Sequence, residues 1–292
     1  MKIIPGEIKT TALHAYMLGA IAPRPIAFAS TIDKQGDVNL APFSFFNAFG
    51  SNPPILVFSP ARRVRDNTIK HTLENILETK EVVINVVNYA MVHQMSLASV
   101  EFPKGVNEFK KAGFTAVGSE KIKPPRVKES PVQMECRVLE VHHMGEHGGA
   151  ANLIVCEILM MHIDDAILNE RGQIDPHKID LVARMGGDFY CRASGSAVFE
   201  VAKPNTQPAI GIDSLPSHIR NSEILTGSDL GKLGNLEVFP TPAEIESIKE
   251  SDEWKKLLIS ANDFELMRQQ LAHELLYRNE VKKAMEILFA IY

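Results

Sequence analysis

Between Pro23 and Thr72 the chain reads PRPIAFAST, then NLAPFSFFNAFGSNPPILVFS, then an arginine-rich loop, then KHTLENI. The second run places Ser44 and Asn47 around Phe45 and Phe46, directly after Pro42 and Phe43. Pro42 limits helix continuation, so the run reads as an extended lip with hydroxyl, amide and aromatic groups together. Alternation would send Phe45 and Phe46 to opposite faces, and at least one of the phenylalanines belongs to the core. The following loop carries Arg62, Arg63 and Arg65, and Lys70-His71-Thr72 opens a helix. A helix N-terminus offers unpaired N–H groups and a partial positive charge, which favours a phosphate. Thr72 adds a hydroxyl donor and Lys70 a full charge. A plain cap beside a solvated basic loop accounts for these residues equally well. Hydroxyl, amide and basic groups thus gather where strands end, a layout that suits a flat aromatic ligand with a phosphate tail.

Other candidates are weaker. Arg24 lies between two prolines, which hold it extended, ready for an anionic ligand group or a surface salt bridge. Thr31 sits at a strand end, before an Asp-x-x-Gly turn, where it bonds a ligand edge or its own backbone. His142, His143 and His147 with Glu146 invite a metal reading. Their spacing matches no helical H-E-x-x-H, and the run crosses a strand-to-turn junction, so no metal is expected. No nucleophile elbow and no paired carboxylates stand out, so neither a nucleophile nor a general base is assigned. The absence of G-x-G-x-x-G after a strand argues against a Rossmann dinucleotide site.

The elements that must position these groups are mainly strands through about residue 200. Strand-like runs cover Ile26–Ile32, Ile55–Phe58, Val82–Val87, Val132–Val141 and Leu153–Ile163, separated by turn clusters such as Asp33–Asp37 and His147–Gly149. Helices are expected at Leu13–Leu18, Thr72–Thr79, Tyr89–Val100 and Phe109–Ala112. Short strands with irregular returns favour a barrel over a doubly wound sheet. Beyond Lys203-Pro204 the character changes. Pro, Gly, Ser and Asn punctuate residues 204–242, and capped helices follow at Thr241-Pro242-Ala243-Glu244 and Asn262-Asp263-Phe264-Glu265. Phe264, Met267, Leu271 and Leu275, then Val281, Met285 and Leu288, recur at helical spacing as a stripe that needs a packing partner.

Hydrophobic content of 45% and charged content of 23% are ordinary for a globular protein and argue against disorder. The net charge of −5 argues against nucleic-acid binding. Most of that excess lies in residues 203–292, with ten Lys or Arg against fourteen Asp or Glu. Three widely spaced cysteines without metal-ligand spacing fit a reducing cytoplasm. No apolar run approaches the length of a membrane span, so a cytoplasmic chain without membrane partners is expected.

The segments quoted above resemble the flavin reductase-like family, whose fold is an FMN-binding split barrel. Glu78–Glu81 followed by VVINVV resembles that family's helix-to-strand return, and Gly105–Gly113 its short mobile segment. Ser130–Val141 and Asn152–Leu168 resemble two later barrel strands, and Leu181–Arg192 the closing segment, where Arg184, Gly186-Gly187 and Tyr190 are candidates to touch FMN. The resemblance covers residues 1–200. It implies a mainly β fold with added helices, a Greek-key split barrel over 1–203. The capped helices and the long apolar stripe of the acidic residues 204–292 predict a helical extension that packs on the barrel dimer and covers part of the FMN groove. The resemblance implies FMN contacts from Arg24, Thr31, Phe43, Ser44, Phe45, Asn47, Arg63, Lys70, His71 and Thr72, with Lys70 to Thr72 on the phosphate. It also implies a homodimer that passes electrons from NADH or NADPH through FMN to a partner oxygenase, free flavin or another acceptor. The alternative is an FMN-binding electron carrier or sensor without NAD(P)H turnover.

Overall fold

The structure, a computed structural model, describes residues 1–201, 208–260 and 263–290. It divides into two compact units, Met1–Phe199 and Glu200–Tyr292. The expected boundary at Lys203-Pro204 and the cap residue Asn262 lie outside the described residues.

The first unit opens with α1 (Thr10–Ala20), β1 (Ala27–Ile32), β2 (Val38–Phe43), β3 (Phe46–Ser51) and β4 (Pro54–Phe58). It continues through α2 (His71–Thr79), β5 (Glu81–Val86), α3 (Val92–Leu97), α4 (Glu108–Ala112) and two short strands, β6 (Ala116–Val117) and β7 (Arg126–Val127). The long hairpin β8 (Val132–His143) and β9 (Asn152–Ile163) follows, then β10 (Val182–Arg184) and β11 (Tyr190–Arg192). Where a helix is expected over Tyr89–Val100, the chain makes a 3-10 turn at Tyr89–Met91 and only then α3.

Seven strands form one antiparallel sheet in the order β2-β1-β5-β8-β9-β4-β3. Val132, Met134, Cys136 and Val138 of β8, spaced by two, share a core with Ile154 and Cys156 of β9 and with Leu73 and Ile76 of α2. β1 is buried on both faces. Ala27 and Ala29 join that core, while Phe28 packs in a second with Met95 of α3 and Phe109 of α4. Double burial explains why Ile26-Ala27-Phe28-Ala29 reads as an unbroken apolar run without alternation.

The lip is two strands, where the sequence reads as one. Ser44 and Phe45 form a corner between β2 and β3, which are the two edges of the sheet. Two residues reach only about 3.3–3.6 Å each, so the sheet must curl until its edges meet there. Ser59 N donates to Phe45 O at 2.9 Å and fastens the corner. Among the described residues no ladder joins β2 to β3 elsewhere. The barrel is therefore closed at one corner and split beyond it.

The second unit is helical: α5 (Ser217–Arg220), α6 (Gly227–Gly234), α7 (Pro242–Lys249), α8 (Asp252–Ser260), α9 (Phe264–Tyr277) and α10 (Val281–Phe289). The Thr241–Glu244 capping box forms as expected, and Thr226 with Asp229 makes a second one at α6. The apolar stripe closes on a core internal to this unit, in which Leu275, Met285 and Leu288 meet Leu215, Ile219 and Trp254. No helix among the described residues is long and apolar enough to cross a membrane.

Candidate functional site

The loop between β4 and α2 is folded to present its arginines. Asn67 adopts a left-handed conformation, φ 57°, and its N–H donates to Arg63 O at 2.9 Å. Asp66 Oδ1 accepts from the Thr68 N–H and hydroxyl at 3.0 and 2.6 Å. The turn after β8 braces the loop from outside. Arg62 N donates to Ala150 O at 2.9 Å and Gly149 N to Arg62 O at 3.0 Å. The approach is close enough to require Gly148, since a Cβ there would stand 2.9 Å from Val64 O. The histidines of this region make local pairs: His142 with Glu140 at 2.6 Å and His143 with Asn152 at 2.6 Å. Among the described residues no group of three His, Cys, Asp or Glu side chains is placed to hold a metal.

Three cations from this loop and the start of α2 converge on one carboxylate. Arg63 Nε lies 2.6 Å from Glu101 Oε1 and Lys70 Nζ 3.5 Å from the same oxygen. Arg65 pairs with the other oxygen. Arg63 and Arg65 hold the Glu101 carboxyl down to about 2. Burial, then the charge of Arg63, lowers the pKa of Lys70 despite Glu101. Lys70 is the N-cap of α2 and no side chain caps that helix. Thr72 is buried, and its Oγ1 accepts from Asn39 Nδ2 at 2.8 Å.

Arg63, Lys70, Thr72 and Glu101 line a narrow pocket of about 40 Å³ with Asn39, Ala41, His71, Ser99 and Glu108, and Arg65 stands outside it on Glu101. The buried Glu108 accepts the Leu40 N–H at 3.1 Å, which ties α4 to β2. Further along β2, a cavity of about 400 Å³ is lined by Pro42, Phe43, Ser44, Met95, Ser96, Arg184, Asp188 and Tyr190. Ser99 lines both spaces. The two adjoin at Ser99 and make one candidate groove along the free edge of β2, where alternate backbone groups face away from β1. Its wide end falls within the size of small-ligand sites, about 300–1,000 Å³.

The other residues read from the sequence have settled partners. Arg24 is buried; it donates to Leu18 O at 2.6 Å, Met185 O at 2.8 Å and the Ile21 carbonyl, and reaches Ser44 Oγ at 3.4 Å. It joins the end of α1 and the strand β10 region to the corner. Thr31 is fully buried and accepts from Asn75 Nδ2 at 3.1 Å. Phe45 stands edge-on to His14, with centroids 6.1 Å apart, and Asn47 Oδ1 accepts from Ala48 N at 2.8 Å. Neither Phe45 nor Asn47 lines the groove of the single chain. The structure adds Asn39, Ser96, Ser99, Glu101 and Asp188. Asn39 and Asp188 lay in segments that already drew notice for the site; Ser96, Ser99 and Glu101 did not.

The groove joins a cavity sized for a flat ring to a basic end suited to an anion, on the corner of a split barrel. The profile of flavin reductase like domains matches residues 18–176. The chain belongs to the flavin reductase like family. An uncharacterised protein of Aquifex aeolicus is 38% identical over 204 residues, spanning 69% of this chain and all of that protein. Nitrilotriacetate monooxygenase component B from Bacillus cereus superposes with a TM-score of 0.64 at 28% identity, covering 69% of this chain and 98% of that one. A split-barrel domain from Shewanella frigidimarina gives a TM-score of 0.57 at 27% identity, with 68% and 96% covered. Membership makes this a flavin-binding oxidoreductase, with the split barrel as its flavin-binding fold.

Proposed function

We propose that the groove along β2 holds FMN, with the ring in the wide cavity and the phosphate at the basic end. The protein then passes electrons from NADH or NADPH through FMN to a separate acceptor. The observation that carries this reading is the convergence of Arg63, Lys70 and Arg65 on Glu101, beside a narrow pocket that adjoins a ring-sized cavity. Lys70, His71, Thr72 and Arg63 take the phosphate. Phe43 and Ser44 border the ring, and Arg24 and Thr31 act behind them by fixing the corner and α2. When bound, FMN supplies the chemistry by accepting hydride at N5. The chain orients the ring and covers it with apolar side chains.

The reading includes a homodimer. α1 buries none of its residues, Tyr16, Met17 and Ile21 are exposed, and the exposed β3 carries Phe49. A second copy covering this apolar surface would bring Phe45 and Asn47 against flavin. The likeness to a monooxygenase component B makes an oxygenase the favoured acceptor class. Anaerobic stopped-flow mixing of the FMN-loaded protein with NADH and with NADPH tests the activity. We expect flavin absorbance to bleach with at least one of them. Bound FMN that neither donor reduces would leave an electron carrier or sensor, and a chain that binds no FMN would end the reading.

A further inference from the structure

Glu101 lies outside both elements that carry the basic cluster. It follows α3, in the segment between α3 and α4, and reaches across to Arg63, Arg65 and Lys70. Its side chain is 36% exposed. The neighbouring backbone is held independently of the carboxylate: Phe102 N donates to Val100 O at 2.9 Å, and Lys111 sits over the Phe102 ring at 5.7 Å. The carboxylate can therefore swing out by side-chain rotation while its segment stays in place.

We propose that Glu101 is a specificity residue that occupies the phosphate subsite and must be displaced by FMN, while riboflavin leaves it undisturbed. The proposal rests on the FMN reading above. An ionised carboxylate and a phosphate take the same charge-assisted hydrogen bonds from arginine and lysine. Three cations face Glu101, and Asp66 also pairs with Arg65. With Glu101 present the cluster carries one net positive charge; without it, two, close to the charge of a phosphate ester near neutrality. A tethered carboxylate competes at high effective concentration, so its presence lowers the affinity of a phosphorylated flavin. The same competition lets FMN leave a cluster that refills from within, which favours flavin as an exchangeable ligand.

Fluorescence titration of the full chain with FMN and with riboflavin tests this in wild type, Glu101→Gln and Glu101→Ala. Both variants should bind FMN about ten-fold more tightly, a change near 1.4 kcal/mol, while riboflavin affinity stays within about two-fold. A residue that merely supports the fold would lose affinity for both flavins when replaced. If wild type prefers FMN over riboflavin and both variants bind FMN equally or more weakly, Glu101 organises the cluster and the proposal is overturned while the phosphate reading stands. No preference for FMN over riboflavin in wild type or in either variant would overturn the phosphate reading and the proposal together.

Discussion

Asn39 and Lys70 serve the narrow end of the groove by different means. The Asn39 amide donates to Thr72 Oγ1, which leaves the hydroxyl proton free to be offered elsewhere. Lys70 supplies charge, and its partial burial strengthens any anion contact by reducing solvent screening. A charge-assisted hydrogen bond is worth roughly 1.5–3 kcal/mol, so Lys70→Ala should weaken FMN by about ten-fold or more. Riboflavin, with no phosphate, should bind as before. Titrations giving equal losses for the two flavins would remove Lys70 from the phosphate. Thr72 is a poorer probe, because its replacement also strips Asn39 of an acceptor inside the fold.

At the scale of elements, the barrel is held by buried polar links as well as by its core. Glu135 of β8 is fully buried and accepts from Glu120 N at 2.9 Å, Lys121 N at 2.6 Å and His162 Nε2 at 2.7 Å. It pins the loop between β6 and β7 to the sheet. Burial alone would raise its pKa, but the two amides and His162 outweigh it and the net shift is downward. The carboxylate therefore contributes stability that is complete above the ordinary glutamate range and is lost as pH falls through its lowered value. Glu135→Gln should cost roughly 1.5–3 kcal/mol near neutrality, and the gap from wild type should narrow on acidification. Urea titrations at both ends of that range measure it; a constant gap would mean that ionisation is not what counts. Local signals made much of this architecture legible: the start of α2 from Lys70-His71-Thr72, the strands β8 and β9 from apolar runs on either side of the His147–Gly149 turn cluster, and the α7 cap from Thr241 and Glu244. The β2–β3 corner was not legible, because Ser44-Phe45 carries no Gly, Pro, Asn or Asp and is fastened by Ser59 and Arg24 from distant parts of the chain. Glu101 was hidden for the same reason: its three partners come from another loop, and its own segment reads as the end of a helix. The α6 cap did have a signal, Thr226-x-x-Asp229, lost among the glycines and serines around it.

For the whole molecule, the division into two units with separate cores has a practical reading. The only tryptophan, Trp254, lies in the second unit, 3% exposed and edge-on to Phe264 at 5.3 Å. Its emission therefore follows the helical core, whereas flavin release follows the barrel. Leu288 is fully buried in that helical core, and Leu288→Ala should cost about 2–5 kcal/mol. We expect the urea midpoint read by tryptophan emission to fall while the midpoint for flavin release holds. Coincident shifts would mean that the two cores unfold as one. The lone indole has another use. Its near-ultraviolet emission overlaps flavin absorption, so a protein loaded with flavin in its barrel is a natural donor–acceptor pair for resonance energy transfer. No dye and no engineered cysteine is needed to follow the separation of the two units in solution, and the same signal can be recorded while a reduced nicotinamide or an electron acceptor is added.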